Sequence, residues 1–137
     1  MEKITIQQCL KEQGFYMAGV HGDSMMPMLR QGKDVVKIVP AKGILKELDL
    51  PLYQRPTGEY VLHRIIAVKD GYYITCGDNR FLKEKVPFGW IVGVMESFVQ
   101  DGMEIMADDS KYLAYVKKIR RSFWRRRIRR KFRKLFS

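Results

Sequence analysis

Between Phe15 and Met106 the apolar residues come in short runs separated by turn-forming residues, a pattern that predicts strands over helices. Phe15-Tyr16-Met17-Ala18-Gly19-Val20 reads as a short buried strand. Asp34-Val35-Val36-Lys37-Ile38-Val39 is rich in β-branched residues and is stopped by Pro40. Residues 41–58 are polar and punctuated by Pro51, Pro56 and Gly58, with a shorter strand expected over Leu50–Gln54. The strongest strand pattern is Glu59–Val68, and Lys69-Asp70-Gly71 turns it into Tyr72–Cys76, because glycine accepts the positive φ of a tight hairpin turn. Gly77-Asp78-Asn79 closes that second arm. A last pair is expected at Trp90–Val99 and Met103–Met106, joined through Gln100-Asp101-Gly102.

Two stretches depart from this rhythm. Residues 4–13 carry a rough helical face of Ile4, Ile6, Cys9 and Leu10, ended by Gly14. After Asp109 the spacing becomes three to four: Tyr112, Val116, Ile119 and Phe123 form one stripe, and Trp124, Ile128, Phe132, Leu135 and Phe136 a second at a different angle. That rotation predicts helix on each side of a break or bend near Ser122. The pattern as a whole predicts a mostly β domain, partly rolled into a barrel, over residues 1–109, followed by a basic amphipathic helical tail over 110–137.

Composition sharpens the contrast between these parts. Residues 1–110 hold 13 Lys/Arg and all 15 Asp/Glu, whereas residues 111–137 hold 13 Lys/Arg and no acid. The formal charge of +11 therefore belongs to the tail, and with it any attraction to an anionic partner. Twelve of those cations lie between Lys117 and Lys134, interleaved with aromatic residues, which ranks an anionic membrane surface ahead of nucleic acid as the tail's partner. Cys9 and Cys76 stand far apart and form no Cys-x-x-Cys pair, so neither a disulfide framework nor a zinc site is expected. No cofactor is called for. Without a run of about 18 apolar residues to span a bilayer, the expected place is the cytoplasm, either free or peripheral on the inner face of the membrane.

The candidate chemistry starts at Gly22-Asp23-Ser24-Met25-Met26-Pro27, where turn-forming and rigid residues flank one serine. A serine that attacks an amide must lose its proton to a base within hydrogen-bond reach, and needs donors for the oxyanion. The chain has two histidines. His21 shares the serine's own loop, while His63 lies inside the best strand pattern, where a side chain is held more rigidly. Asp78, at the end of the strand expected to pair with that of His63, could place a carboxylate near the imidazole. The plainer readings are a turn serine, a half-buried structural histidine and an aspartate bonding its own turn.

Taken in order, Gly22-x-Ser24-Met25-x-Pro27, Gly32-x-Asp34-Val35-Val36, Tyr60-Val61-Leu62-His63-Arg64-Ile65-Ile66, Gly77-Asp78-Asn79 and Ile91-Val92-Gly93 resemble the signal peptidase I type of serine peptidase. The resemblance covers roughly residues 15–99. It implies the signal-peptidase and LexA-like partly rolled β-barrel, with Ser24 as nucleophile. Bacterial members carry a lysine base before the arginine of the third block. His63 stands there in this chain, so it is similar to the archaeal and endoplasmic-reticulum branch, in which histidine is the base. That branch uses an acid near the Gly-Asp-Asn block; Asp78 is the first candidate, and Glu84, six positions on, the second. The implied function is a serine endopeptidase that removes a leader or signal segment from a peptide or preprotein bound in extended form. The alternative is an inactive peptidase-like module that binds membrane or nucleic acid through its basic tail.

Overall fold

The computed structural model describes residues 5–136, with side chains described through Phe123 and for Arg125 and Arg126. The chain opens with helix α1 (Ile6–Gln13), which starts where Thr5 and Gln8 cap each other's backbone N–H groups. It stops at Gly14, whose φ of 82° lets its N–H return to the Leu10 carbonyl. Nine strands follow among the described residues: β1 (Tyr16–Gly19), β2 (Val35–Val39), β3 (Pro51–Gln54), β4 (Tyr60–Leu62), β5 (Arg64–Val68), β6 (Tyr72–Cys76), β7 (Glu84–Pro87), β8 (Ile91–Gln100) and β9 (Met103–Met106). A single 3-10 turn, Phe88–Trp90, leads into β8, and helix α2 (Ser110–Phe136) ends the chain. The mostly β prediction holds.

The strands form two antiparallel sheets. The larger has the order β1-β2-β8-β3-β4, with β9 added alongside β8. Long β8 is its spine: β2 runs along one edge from Val99 to Val94, while β3 and β9 share the other at opposite ends. Register shifts at Lys37/Ile38 and Leu52/Tyr53 are bulges that strengthen twist, and the sheet curls into a half-barrel. The smaller sheet is β5-β6-β7. Tyr53 and Val61 from the large sheet pack with Ile65, Tyr73 and Val86 from the small one and fasten the two together. A second core fills the half-barrel, joining Leu10 of α1, Met25, Met28 and Leu29 of the serine loop, and Ile38, Leu52, Met95 and Phe98 of the sheet.

Three features differ from the sequence expectations. The strand expected over 59–68 is interrupted at His63. Its first part pairs with β3 in the large sheet and its second with β6 in the small one, so His63 is the joint where the backbone crosses between sheets. Period-two alternation continues through such a crossing and does not reveal it. Strand β7 has too few apolar residues to stand out alone and exists because β6 pairs with it, Thr75 opposite Glu84 and Tyr73 opposite Val86.

The third difference is α2, one helix across Ser122 with no break. No Gly or Pro interrupts it, and the Ser122 hydroxyl donates to the Ile119 carbonyl at 2.7 Å, so the polar side chain is satisfied within the helix. The first apolar stripe is buried over its first three positions: Tyr112 and Val116 join the main core, Ile119 is covered as well, and Phe123 is half-buried. The helix is therefore part of the body at its beginning. The second stripe, Trp124 to Phe136, falls on side chains outside the described residues. No helix among those described is long and apolar enough to cross a membrane.

Candidate active site

Ser24 sits in the loop between β1 and β2. Gly22 takes a φ of 74°, a left-handed conformation that costs a glycine little, and turns the chain into the serine. Met25, Met28 and Leu29 then bury themselves and anchor the far side of the loop in the main core. Asp34, at the loop's end, is buried. Burial works against its charge, but the Arg30 guanidinium, the Arg30 backbone N–H and the Gln100 amide together outweigh this and hold the carboxyl below its ordinary value.

The other half of the site comes from the turn after β6. The Asn79 N–H donates to the Ser24 carbonyl at 2.8 Å, its side-chain amide donates to the Asp23 carbonyl at 3.1 Å, and Arg80 pairs with the Asp23 carboxylate. The Gly77-Asp78-Asn79 block is thus a clamp on the serine loop. Gly77 is buried where three groups converge: a Cβ built on it would lie 2.7 Å from the Ser24 carbonyl oxygen and 3.2 Å from His63 Nε2. Ser24 and the imidazole therefore meet over one residue that can have no side chain. The Ser24 and His63 side chains are not hydrogen-bonded to each other.

No family model matches the chain, and no curated protein matches it.

The chemistry of the site thus rests on its own geometry. His63 is half-buried, and burial pushes its pKa below the ordinary 6.5; the Glu84 charge opposes this in part, and Arg55 and Arg80 reinforce it. The imidazole is neutral at pH 7 and able to accept a proton. Tyr53 meets the His63 ring edge to face, with centroids 6.4 Å apart.

Neither candidate acid hydrogen-bonds the imidazole. Asp78 is fully buried and its carboxylate is bound in a fork by Arg64, at 2.7 Å from Nε and 2.9 Å from an Nη, with the Tyr115 hydroxyl donating from α2 at 2.9 Å. The reason is register: Arg64, not His63, lies opposite Cys76 and so faces the turn that carries Asp78. Glu84 accepts from Tyr53 at 2.6 Å and from Arg55 at 2.9 Å, and these hold its carboxyl below its ordinary value. Of the two acids, Glu84 acts more strongly on His63. His21 lines the same cleft but is exposed on the serine loop.

Ser24 and His63 open onto a cleft of about 500 Å³. Its apolar walls include Ile6, Ala18, Ile38, Leu52 and Leu62, and its rim carries Arg55, Glu59 and Arg80. Strands β1 and β4, the two ends of the large sheet, both border it. Among the described residues no group of three His, Cys, Asp or Glu could hold a metal ion. Sequence reasoning missed Tyr53, Arg64 and Tyr115. Arg64 was the one with a readable signal, since a cation among strand residues that bury themselves requires an acid partner.

Proposed function

We propose that the chain is a serine endopeptidase of the signal peptidase type, with Ser24 as nucleophile and His63 as general base. The observation that carries this reading is the convergence of the Ser24 backbone and His63 Nε2 on Gly77. In the reaction, Ser24 Oγ attacks the scissile carbonyl carbon as its proton passes to His63 Nε2. The tetrahedral oxyanion is received by backbone N–H groups, that of Ser24 among them. Collapse breaks the C–N bond, His63 returns the proton to the leaving amine, and water, deprotonated by the same imidazole, hydrolyses the acyl-enzyme.

A lowered histidine pKa suits this role, because the base must be neutral when the substrate arrives. The Tyr53–Glu84–Arg55 cluster sets the field around the ring, while Asp78 secures Arg64 and the clamp. The substrate is a leader or signal segment bound extended along β1 or β4, whose outer edges have unpaired backbone groups, with its side chains in the apolar cleft. Under this reading the two sheets form the partly rolled barrel of signal peptidases and LexA-like repressor peptidases.

Purified protein incubated with candidate precursor peptides, beside Ser24→Ala and His63→Ala, tests the proposal. Cleavage is expected from the parent and at least about 1,000-fold less from either variant. Undiminished cleavage by both would eliminate the mechanism. Failure of the parent's Ser24 to react with a serine-directed acylating inhibitor would favour an inactive module with the same fold.

A further inference from the structure

Outside the cleft lining, the loop that follows the clamp carries two consecutive bulky apolar residues that stand largely open: Phe81 is 71% exposed and Leu82 76%. Cations flank them in sequence, Arg80 before and Lys83 and Lys85 after, and the one acid among these, Glu84, is held by Arg55 and Tyr53. Helix α2 lies alongside. Arg126 donates from its two Nη atoms to the carbonyls of Arg80 and Asp78, each at 2.6 Å, and its guanidinium stands 5.7 Å from the Phe81 ring and 4.7 Å from that of Phe123. The loop tip and the start of the polycationic segment are thus one continuous surface, with Arg125 exposed beside it.

We propose that this surface, residues 80–85 together with the Arg125–Arg126 turn of α2, docks the protein on an anionic lipid bilayer, with Phe81 and Leu82 entering the headgroup boundary. Charge complementarity selects the partner. Twelve Lys/Arg and no acid lie between Lys117 and Lys134, which suits a surface of many phosphates. The apolar tip then chooses lipid over nucleic acid. A phosphate backbone gives an aliphatic Leu82 nothing to bury against, whereas a bilayer offers hydrocarbon just beneath its layer of negative charge. The order of groups matches that layering, with apolar tips flanked by cations. The inference does not depend on the proposed reaction, since none of the three residues that carry it, Phe81, Leu82 and Arg125, lines the cleft.

The test is co-sedimentation of the full chain with phosphatidylcholine vesicles, with and without phosphatidylserine, beside fluorescent single-stranded and duplex oligonucleotides. Binding is expected to the anionic vesicles, to weaken with added salt, to fall by roughly tenfold or more in Phe81→Ser/Leu82→Ser, and by about fivefold in Arg125→Glu. All three positions are exposed, so melting curves should match the parent. Undiminished vesicle binding by the double variant, equal binding to neutral vesicles, or binding to oligonucleotides without binding to vesicles would each overturn the proposal.

Discussion

Replacing Asp78 by Asn tests how the site is held together. Among the described residues the carboxylate is the only acid on Arg64, a fully buried side chain that also donates to the Leu48 carbonyl at 3.0 Å and the Tyr112 hydroxyl at 3.1 Å. Asn keeps the shape and removes the charge. A guanidinium does not give up its proton at accessible pH, so Arg64 would remain charged and uncompensated inside the protein. Losing one partner of a buried pair costs about 3–5 kcal/mol, a large share of the roughly 5–15 kcal/mol that holds a domain folded. At this chain length that corresponds to a melting temperature lower by roughly 10–20 °C. Urea unfolding followed by tryptophan fluorescence would read the change as a lower midpoint with an unchanged slope. Arg64→Met/Asp78→Leu, which removes both charges, should recover most of the loss. A loss under about 1 kcal/mol for Asp78→Asn, as for a solvated turn aspartate, would refute the buried pair as the anchor of the clamp.

Two further outcomes follow from the site. Burial lowers the His63 pKa from 6.5, and only the neutral ring acts as base, so the rate of Ser24 acylation should fall to half its plateau only on the acid side of pH 6.5. Because Glu84 raises that pKa, Glu84→Gln should move the fall to still lower pH; a pH–rate profile centred above 6.5 in the parent would contradict the assignment. Folding should respond with the same sign: the unfolded chain takes up this proton first as pH drops below 6.5, so the His63 share of stability is lost there and the loss is absent in His63→Gln. Gly77→Ala would put a methyl group 2.7 Å from the Ser24 carbonyl oxygen, costing about 1–3 kcal/mol in a melting curve and roughly 100-fold in kcat/KM by separating Ser24 from His63; parent-like values for both would show that the two groups do not meet there.

Much of the architecture was legible because hairpins carry local signals. Asp70-Gly71 and Asp101-Gly102 marked their turns through glycine's tolerance of positive φ, and Thr5, Gln8 and Gly14 mark the ends of α1 in the same local way. What the local pattern did not carry was partnership between distant elements. The alternation through Tyr60–Val68 is the same whether one sheet or two receives it, so the crossing at His63 and the exchange of partners that gives Asp78 to Arg64 were invisible. Strand β7 and the buried start of α2 likewise exist through contacts made across the fold, Val86 on Tyr73 and Tyr112 on Phe98. At the site, the structure brings the Ser24 backbone and His63 Nε2 together over Gly77, three residues that the sequence already singled out. The surroundings of the imidazole, with Tyr53 at its edge and Glu84 restrained by Arg55, depend on where β3 and β7 lie and had no signature of their own.

The joint at His63 has one more implication. The clamp on the serine loop follows β6, and His63 lies between β4 and β5, so the small sheet contributes to the position of both proposed reacting groups. Most of the cleft's apolar lining, Ala18, Ile38, Leu52 and Leu62, belongs to or adjoins the large sheet. The large sheet would thus supply most of the surface that grips a peptide, while the small sheet supplies the clamp across the serine loop. Substitutions along the half-barrel can change which side chains are accepted while Ser24 and His63 keep their spacing, so selectivity can drift or be re-engineered without rebuilding the chemistry.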